Sequence, residues 1–160
     1  MKAAGNKKTS RKNSIVIRHA VKNDLDQIIE LCDQHAAYEG APYSKTGKKE
    51  RLGLYLFTER PPLMCLVVEQ DERIKGYATY MREFSTWDAS YYMHMDCLFL
   101  KEEMRGQGIG KKLVAMITEA AEESDCVNVQ WQTPTDNTNA IMFYDKLGAF
   151  SRHKLRFFLR

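Results

Sequence analysis

The sequence predicts a single-domain α/β protein in which a mixed, mostly antiparallel, twisted sheet is flanked by about four helices. Strand-like and helix-like segments follow one another in the order β-α-α-β-β-β-α-β-α-β. Short turns join the middle strands and favour antiparallel neighbours, whereas helix-length segments separate the late strands and favour crossovers. The length of 160 residues and the apolar content of 44% suit one domain with its own core.

The first half of the chain predicts a strand, two helices and a hairpin. Apolar residues recur at helical spacing after Asp24, and Gln27 three residues later completes a possible capping box. The second helix ends at Arg60–Pro62, because proline disfavours a helical conformation in the residue before it. The predicted segments are a strand at Ser14–Ala20, helices at Asp24–Ala37 and around Leu52–Leu56, and hairpin strands at Leu63–Gln70 and Ile74–Phe84.

The second half predicts a long strand, two helices and two further strands. Alternation along the long strand, Ser90–Leu100, gives one apolar face from Tyr91 to Phe99 and a mixed face with His94 and Asp96. The later segments are a helix with the apolar stripe Leu113, Val114, Ile117, Ala120 and Ala121, a strand at Cys126–Thr133, a helix at Asp136–Gly148 and a closing strand at Ala149–Leu159. Asp136 or Asn137 is the expected cap of the last helix.

Charge separates the first residues from the rest of the chain. The net charge is +3, but residues 1–14 contain five basic residues and no acid, which leaves 19 basic and 21 acidic residues elsewhere. We expect a disordered basic tail at 1–14 and a domain at 15–160. A nucleic-acid arm and a solvated leader are both possible functions of such a tail. We favour the leader and expect no nucleic-acid partner.

Cysteine and histidine usage indicates a reducing environment and no metal. The four cysteines stand singly among apolar residues, and the four histidines are scattered. This pattern predicts neither a disulfide framework nor a metal site, and it suits a cytoplasmic protein. The start of the chain lacks the features of a secretory signal, and no apolar run approaches the ~20 residues of a membrane span. We therefore expect no membrane partner.

The segment Arg105–Gly110, between the long strand and the next helix, carries three glycines at a spacing of two. A helix N-terminus presents unpaired N–H groups and a favourable dipole to an anion, and glycine lets the backbone approach closely. The P-loop pattern fails because Arg105 stands at its first glycine and Lys112 at its serine or threonine. The Rossmann pattern fails because Lys111 stands at its third glycine. The sequence predicts a pyrophosphate cradle over Gly106–Lys111.

The pattern R-x-x-G-x-G at Arg105–Gly110 resembles the acetyl-coenzyme A signature of the GNAT acyltransferase superfamily. The resemblance covers about Ile15 to Phe150 and includes "IVIRHAVKNDLDQIIEL" near the start and "NTNAIMFYDKLGAF" near the end. Within the superfamily, the chain is most similar to the diamine acetyltransferases of the spermidine/spermine type. The matching residues are Tyr38-Glu39, Trp87, "MRGQGIG", Asn137 and Phe143-Tyr144.

The chain departs from that pattern at three points. The first acid of the family's long strand is glutamate, and Asp96 stands at the matching position. Cys97 replaces the second acid, and the C-terminal end is shorter. These departures concern the identity of the acceptor amine more than the reaction.

The resemblance implies a GNAT-like fold and transfer of an acetyl group from acetyl-CoA to a primary amine of a small cationic acceptor. That acceptor would be a polyamine, a diamine or a lysine-like compound, attacked directly in a ternary complex, and the enzyme would be a homodimer. The cofactor-binding residues implied by the cradle and the resemblance are Leu98, Phe99, Leu100, Arg105, Gly106, Gln107, Gly108, Ile109, Gly110, Lys111 and Asn137. Tyr144 would be the general acid that protonates the leaving thiolate.

The acceptor must be neutral when it attacks, and an alkylammonium has a pKa of about 10.4. Asp96 is the candidate base, acting directly or through a water, or it only attracts the cation; His94 is a weaker candidate. Tyr38, Glu39 and Trp87 would complete the amine end of the site with Asp96, because acids and aromatic faces suit an ammonium group.

Other functions remain open from the sequence. An aminoglycoside or protein-lysine acetyltransferase would need a different acceptor cleft. A non-catalytic acyl-CoA-binding module would need neither Tyr144 nor Asp96, so these two residues favour an enzyme.

Overall fold

The computed structural model describes residues 14–159. The predicted basic tail, residues 1–14, lies outside the described residues except for Ser14. Short 3₁₀ turns at Lys22–Asp24 and Glu102–Met104 precede the first and third helices. The elements are β1 (Val16–His19), α1 (Leu25–Tyr38), α2 (Lys48–Leu56), β2 (Met64–Gln70), β3 (Arg73–Ser85), β4 (Ser90–Leu100), α3 (Ile109–Glu123), β5 (Val129–Trp131) and α4 (Thr138–Lys146). The predicted α/β class with a mixed sheet and four helices is confirmed.

The five strands form one sheet in the order β1-β2-β3-β4-β5. The first three pairings are antiparallel, and β5 runs parallel to β4 after the α3 crossover. A two-residue turn joins β2 to β3, and Asp71 and Glu72 both have left-handed backbone angles, with φ of 51° and 60°. Two consecutive left-handed residues match the twist of the strands on either side, as in a type I′ hairpin.

Helices cover both faces of the sheet. On one face, Ile109, Leu113 and Ile117 of α3 pack against β2, β3 and the first half of β4. On the other face, Leu25, Ile28 and Leu31 of α1, together with Leu56 of α2, pack against Val67, Tyr77 and Phe99. The C-terminal end of α1 and the N-terminal end of α3 therefore lie on opposite faces of the sheet. Both contact the C-terminal end of β4.

The start of α1 differs from the predicted capping box. The Asp24 carboxylate accepts hydrogen bonds from the Val21 N–H at 2.8 Å and from the Arg18 guanidinium at 2.7 and 3.0 Å. Gln27 does not reach back to the helix start, because its Oε1 accepts the N–H of Ile74 on β3 at 3.0 Å. The box is therefore wrong. Both side chains tie α1 to the sheet instead.

Asp24→Asn is expected to lower the free energy of unfolding by about 2–3 kcal/mol, because it removes the more buried of the two carboxylates that pair with Arg18 and leaves only Glu69. The Asp24 side chain is only 6% exposed. Burial alone would raise its pKa, but the Arg18 and Val21 hydrogen bonds outweigh burial and lower it. The contribution is therefore complete above the unfolded pKa of about 3.9 and is lost as the pH falls through the lower folded value.

Urea unfolding followed by circular dichroism at pH 7 and pH 3 measures this effect. The control is Asp26→Asn, since Asp26 is 75% exposed and pairs with Lys49 at the surface. Exposed pairs contribute about 0–1 kcal/mol. Equal losses of unfolding free energy in the two variants would contradict the prediction that the Asp24 carboxylate stabilises the fold more than an exposed ion pair does.

The C-terminal part of the chain departs from the prediction. The strand predicted at Cys126–Thr133 is ordered as β5 only over Val129–Trp131. The closing strand predicted at Ala149–Leu159 is wrong, since these residues are irregular and Phe157 is 86% exposed. Their aromatic residues suit a strand, but a strand needs a hydrogen-bonded partner, and three-residue β5 offers a short edge.

No helix among residues 14–159 is both long enough and apolar enough to span a bilayer.

Candidate active site

A β-bulge in β4 shapes the centre of the site. Cys97 lies opposite Thr79 and Met95 lies opposite Tyr80, so Asp96 is an extra residue without a partner in the β3 ladder. The bulge reverses the alternation of β4. Met93 and Met95 pack on the α3 side, whereas Cys97 and Phe99 pack on the α1 side. The predicted continuous apolar face from Tyr91 to Phe99 is therefore wrong, and Asp96 is exposed at the crossover point.

Beyond the bulge, β4 and β5 no longer pair. The parallel ladder joins Met93–Met95 to Val129–Trp131 and ends there. Along Cys97–Leu100, β4 pairs only with β3 among the described strands. The backbone groups of β4 that face away from β3 are thus open to a ligand. This edge contains Leu98, Phe99 and Leu100, which the sequence analysis assigned to the donor.

The glycine segment continues directly from this open edge. Gly106 and Gly108 have φ of 72° and 75°, a left-handed conformation that favours glycine. A Cβ at either position would meet no other atom within 4 Å, so both glycines border open space. Gly108 is the N-cap of α3 and offers no side-chain cap to the first N–H groups of the helix. Gly110 has a different role, because a Cβ there would lie 3.0 Å from the Phe143 ring of α4.

Two side chains of the segment are occupied by contacts within the protein. The Nε of Arg105 donates to the Leu100 carbonyl at 2.9 Å, and its guanidinium carbon lies 4.7 Å from the centre of the Tyr38 ring. The Nε2 of Gln107 donates to the Glu103 carbonyl at 2.6 Å. Arg105 therefore extends towards the end of α1, and it connects the glycine segment to the predicted amine end of the site.

The end of α1 meets the start of α4. Asn137 caps α4, as expected, by accepting the Ala140 N–H at 3.2 Å through its Oδ1. The Tyr38 hydroxyl donates to the same Oδ1 at 3.5 Å. Glu39 is the C-cap residue of α1. The fold thus brings Tyr38, Glu39 and Asn137 together, although they are about 100 positions apart in the sequence.

Tyr144 lies on α4 beside β5. Its ring is 4.9 Å from the Trp131 ring and 5.0 Å from the Phe143 ring, measured between centroids. Burial raises the pKa of Tyr144 to about 12, and the negative charge of Glu39 adds to the effect. The hydroxyl therefore keeps its proton at physiological pH. The Tyr38–Asn137 contact brings the end of α1 to the helix that carries Tyr144.

Cys97 occupies the position where the resembling enzymes carry a second acid. Burial raises the pKa of its thiol to about 12, and the neighbouring Asp96 carboxylate adds to the effect. The Cys97 Sγ lies 3.6 Å from the Asp96 Oδ2. A neutral thiol is a poor nucleophile, since the thiolate is the reactive form.

His35 also lies in the site, although no role was predicted for it from the sequence. Its Nε2 lies 3.3 Å from the Glu39 Oε1, and its ring stacks on Phe99 with 5.1 Å between centroids. The available signal was its spacing of four residues from Glu39 on a predicted helix, which places both side chains on one helix face.

Trp87 does not join these residues within one copy of the chain. It is 97% exposed in the turn between β3 and β4. Six residue steps separate Ser90 from Asp96, which corresponds to roughly 20 Å of extended strand. Trp87 is therefore at the opposite end of β4 from Tyr38 and Glu39. His94, the weaker base candidate, is half-buried and lies opposite Met81 and Gln130, before the bulge.

Two cavities of about 130 and 230 Å³ lie elsewhere, one beside α2 and one beside the outer part of α3. Neither contains a residue of the cleft described above. The cleft is an open wedge between β4, β5 and the starts of α3 and α4. It is identified as the candidate site by the residues that line it, since it does not form an enclosed cavity. Residues 14–159 contain no cluster of side chains suited to a metal ion.

Comparison with known proteins places these features in a family. Residues 25–149 match the Acetyltransferase (GNAT) family. The thialysine N-epsilon-acetyltransferase of Bos taurus is 30% identical over 143 residues, which are 84% of this chain and 84% of that protein. The human spermidine/spermine N(1)-acetyltransferase-like protein 1 is 23% identical over 140 residues, which are 83% of this chain and 20% of that protein.

A solved structure has the same fold. The aminoglycoside N-acetyltransferase AAC(6')-Iy, in complex with CoA, matches with a TM-score of 0.77 over 95% of this chain and 98% of that chain, at 17% identity. The predicted resemblance to GNAT enzymes, including those of the spermidine/spermine type, is confirmed. Because the family match extends from the start of α1 to three residues beyond α4, it includes every element of the cleft, and the chain belongs to the GNAT family of acetyltransferases that act on amines.

Proposed function

We propose that the protein transfers the acetyl group of acetyl-CoA to a primary amine of a small cationic acceptor, by direct attack in a ternary complex. The acceptor is a polyamine, a diamine or a lysine-like compound. One observation carries the proposal: the open edge of β4 leads into the glycine-lined start of α3, and Asp96, Glu39 and Tyr144 face the wedge beside it. Donor, acceptor and proton donor can therefore meet at one point.

The cradle fits the diphosphate of coenzyme A. Open space lies where the Cβ atoms of Gly106 and Gly108 would be, so an anion can approach the backbone closely. The first N–H groups of a helix lack partners within the helix, and the helix dipole favours an anion there. Lys111 is exposed in the first turn of α3 and adds a positive charge. Acetyl-CoA supplies an activated thioester when it is bound at this cradle.

The residues that line the wedge can bind the pantetheine arm and the thioester of the donor. The free backbone of Leu98, Phe99 and Leu100 can bind the pantetheine amides as an added strand would, and an N–H there can polarise the thioester carbonyl. The Asn137 oxygen caps α4, so its NH₂ group is the part available to the donor. Arg105 contributes by holding the Leu100 carbonyl, and Gln107 contributes through the loop conformation.

The acceptor end carries negative charge and aromatic surface. Asp96 is exposed at the bulge, Glu39 is about one-third exposed, and the Tyr38 ring lies beside them at the end of α1. This combination favours a cationic amine. Asp96 accepts the amine's proton directly or through a water, or it attracts the cation. We infer a homodimer in which Trp87, at its exposed turn, is available to a second copy.

The reaction forms a C–N bond and breaks the C–S bond. The attacking nitrogen loses a proton to the acceptor-side carboxylate, and the leaving sulfur gains one from Tyr144, which is then reprotonated from solvent. The Cys97 thiol is neutral and therefore a poor nucleophile. This supports direct attack by the amine rather than an acyl-enzyme intermediate on Cys97. Free cysteines at 32, 65, 97 and 126 suit a reducing compartment, and we infer that the protein is cytoplasmic.

Release of the coenzyme A thiol, measured across a panel of amines, tests the proposal. Spermidine, putrescine, lysine and thialysine are expected to be acetylated, and a neutral-chain amine such as butylamine is expected to have a higher KM because it lacks a second cation. Mass spectrometry of the products identifies the acetylated nitrogen. Binding of acetyl-CoA without turnover on any amine would instead indicate an acyl-CoA-binding module. Turnover only on an aminoglycoside or a peptidyl lysine would move the acceptor to those classes.

A further inference from the structure

His35 lies in the wall of the cleft and has no role in the mechanism described so far. It sits in the last turns of α1, its side chain is 14% exposed, and its ring is nearly parallel to that of Phe99, at 24°. Phe99 belongs to the open edge of β4. The imidazole therefore lies between the helix that carries Glu39 and the strand that carries Asp96.

Both ring nitrogens of His35 have partners. The Nδ1 is 3.0 Å from the Tyr77 hydroxyl oxygen, and the Nε2 is 3.3 Å from the Glu39 Oε1. Burial raises the pKa of the Tyr77 phenol far above its usual value, so this hydroxyl is always a possible donor. With Tyr77 donating to Nδ1, the neutral imidazole carries its proton on Nε2 and donates it to Glu39.

Every element around His35 presents a polar or charged group to it. Glu39 lies on the same helix, Tyr77 on β3, Asp96 on β4 and Arg105 in the loop after β4. The thiols of Cys32 and Cys97 face the Tyr77 hydroxyl, and burial raises the pKa of both thiols, so they stay neutral. Burial lowers the pKa of His35; Glu39 and Asp96 oppose this, while Arg105 adds to it.

Glu39 also acts on the opposite side of the cleft. Its charge is the first electrostatic contribution, after burial, to the raised pKa of Tyr144. One carboxylate thus contacts His35 and influences the proton donor on α4. Its orientation decides how much negative charge the cleft presents to a cation.

We propose that His35 is a positioning residue that holds the Glu39 carboxylate towards the acceptor ammonium through its Nε2–H. Protonation of the ring converts this contact into an ion pair, which neutralises Glu39 and weakens the binding of the cation. This inference rests on the proposed function, because it assigns the residue that controls the affinity of the same site for its acceptor. It predicts a pH dependence in the acceptor KM that belongs to His35.

Two substitutions separate the contacts of His35. His35→Gln places an amide NH₂ near the position of Nε2, so it can still donate to Glu39 but cannot titrate. His35→Leu removes both contacts and keeps an apolar side chain against Phe99. His19→Gln is the control, since His19 is exposed on β1 away from the cleft.

The expected result is a split between KM and kcat, measured from pH 5 to pH 8 with the best amine of the panel. His35→Leu raises the acceptor KM about tenfold at pH 8, because Glu39 loses a charge-assisted hydrogen bond, with little change in kcat. His35→Gln keeps the wild-type KM at pH 8. It does not show the rise in KM that the wild type shows below the usual histidine pKa of about 6.5. Protonation of the amine itself changes KM with pH in the same way in every variant, so it does not affect the comparison.

An NMR titration of the His35 ring provides a readout that needs no turnover. Glu39→Gln is expected to lower the pKa of His35 further, because the carboxylate raises it. An unchanged His35 pKa in that variant, or equal KM values in wild type and His35→Leu at every pH, would overturn the inference. These outcomes differ from a failure of the proposed function, in which the wild type would release no coenzyme A thiol with any amine.

Discussion

Tyr144→Phe is expected to lower kcat by about a hundredfold or more and to leave the affinity for acetyl-CoA nearly unchanged. The substitution removes one hydroxyl and keeps the ring that packs against Trp131 and Phe143. A phenol with a pKa of about 12 does not give its proton completely to a thiolate with a pKa near 8.5. We therefore expect Tyr144 to transfer its proton as the C–S bond breaks only because the transfer is coupled to proton loss from the attacking nitrogen.

Steady-state thiol release and calorimetric binding of acetyl-CoA measure the two quantities separately. Tyr55→Phe removes the same atom from an exposed tyrosine of α2 and serves as the matched control. Because the folded pKa of Tyr144 is near 12, its ionisation adds no basic limb to the kcat profile below about pH 11. A wild-type kcat in Tyr144→Phe would remove Tyr144 from the mechanism.

Gly108→Ala is expected to weaken acetyl-CoA binding at least tenfold. The residue has φ of 75° at the start of α3, and a methyl group would project into the open space of the proposed cradle. The left-handed conformation also strains any residue with a Cβ, which shifts the N–H groups that face the anion. A tenfold loss corresponds to about 1.4 kcal/mol of binding free energy.

Gly148→Ala separates backbone strain from loss of the cradle. Gly148 has φ of 84° and also has open space around its Cβ position, but it follows α4 and lies outside the glycine segment. Both variants should lose similar stability in thermal unfolding, and only Gly108→Ala should raise the dissociation constant for acetyl-CoA. Equal dissociation constants in the two variants would argue against a diphosphate at Gly108.

Local patterns in the sequence were sufficient to predict most of the fold. The strand at Ser90–Leu100 has the predicted bounds, and the helices begin and end within a few residues of expectation. Hydrophobic periodicity and glycine or proline stops depend on neighbouring residues only. The bulge at Asp96 could not be predicted in this way, because it depends on the register between β4 and β3.

The prediction of a closing strand was wrong for a related reason. Ala149–Leu159 contains aromatic and aliphatic residues that suit a strand, but composition does not supply a partner. Long-range pairing decides whether such a segment is a strand, and a single sequence carries little information about it.

The site was predictable where chemistry demanded a particular residue type. Glycine at the left-handed positions 106 and 108 and the helix cap at Asn137 agree with the structure. The contact between the end of α1 and the start of α4, made by Tyr38 and Asn137, was not predicted, because it joins residues about 100 positions apart. Trp87 was grouped with Tyr38 and Glu39, but the length of β4 separates them within one copy. His35 was overlooked because a lone histidine has no local motif, and only the fold brings Tyr77 and Phe99 to it.

The extra residue in β4 frees position 96 from the packing of either core. Asp96 has no partner in the β3 ladder and is exposed, so another side chain there would change the acceptor chemistry while both cores stay packed. Deleting it would join Met95 directly to Cys97 and give a regular ladder in which Thr79 and Tyr80 keep their present partners. Both cores would therefore stay packed, and the loss would fall on the site alone, since the carboxylate at the bulge would be gone.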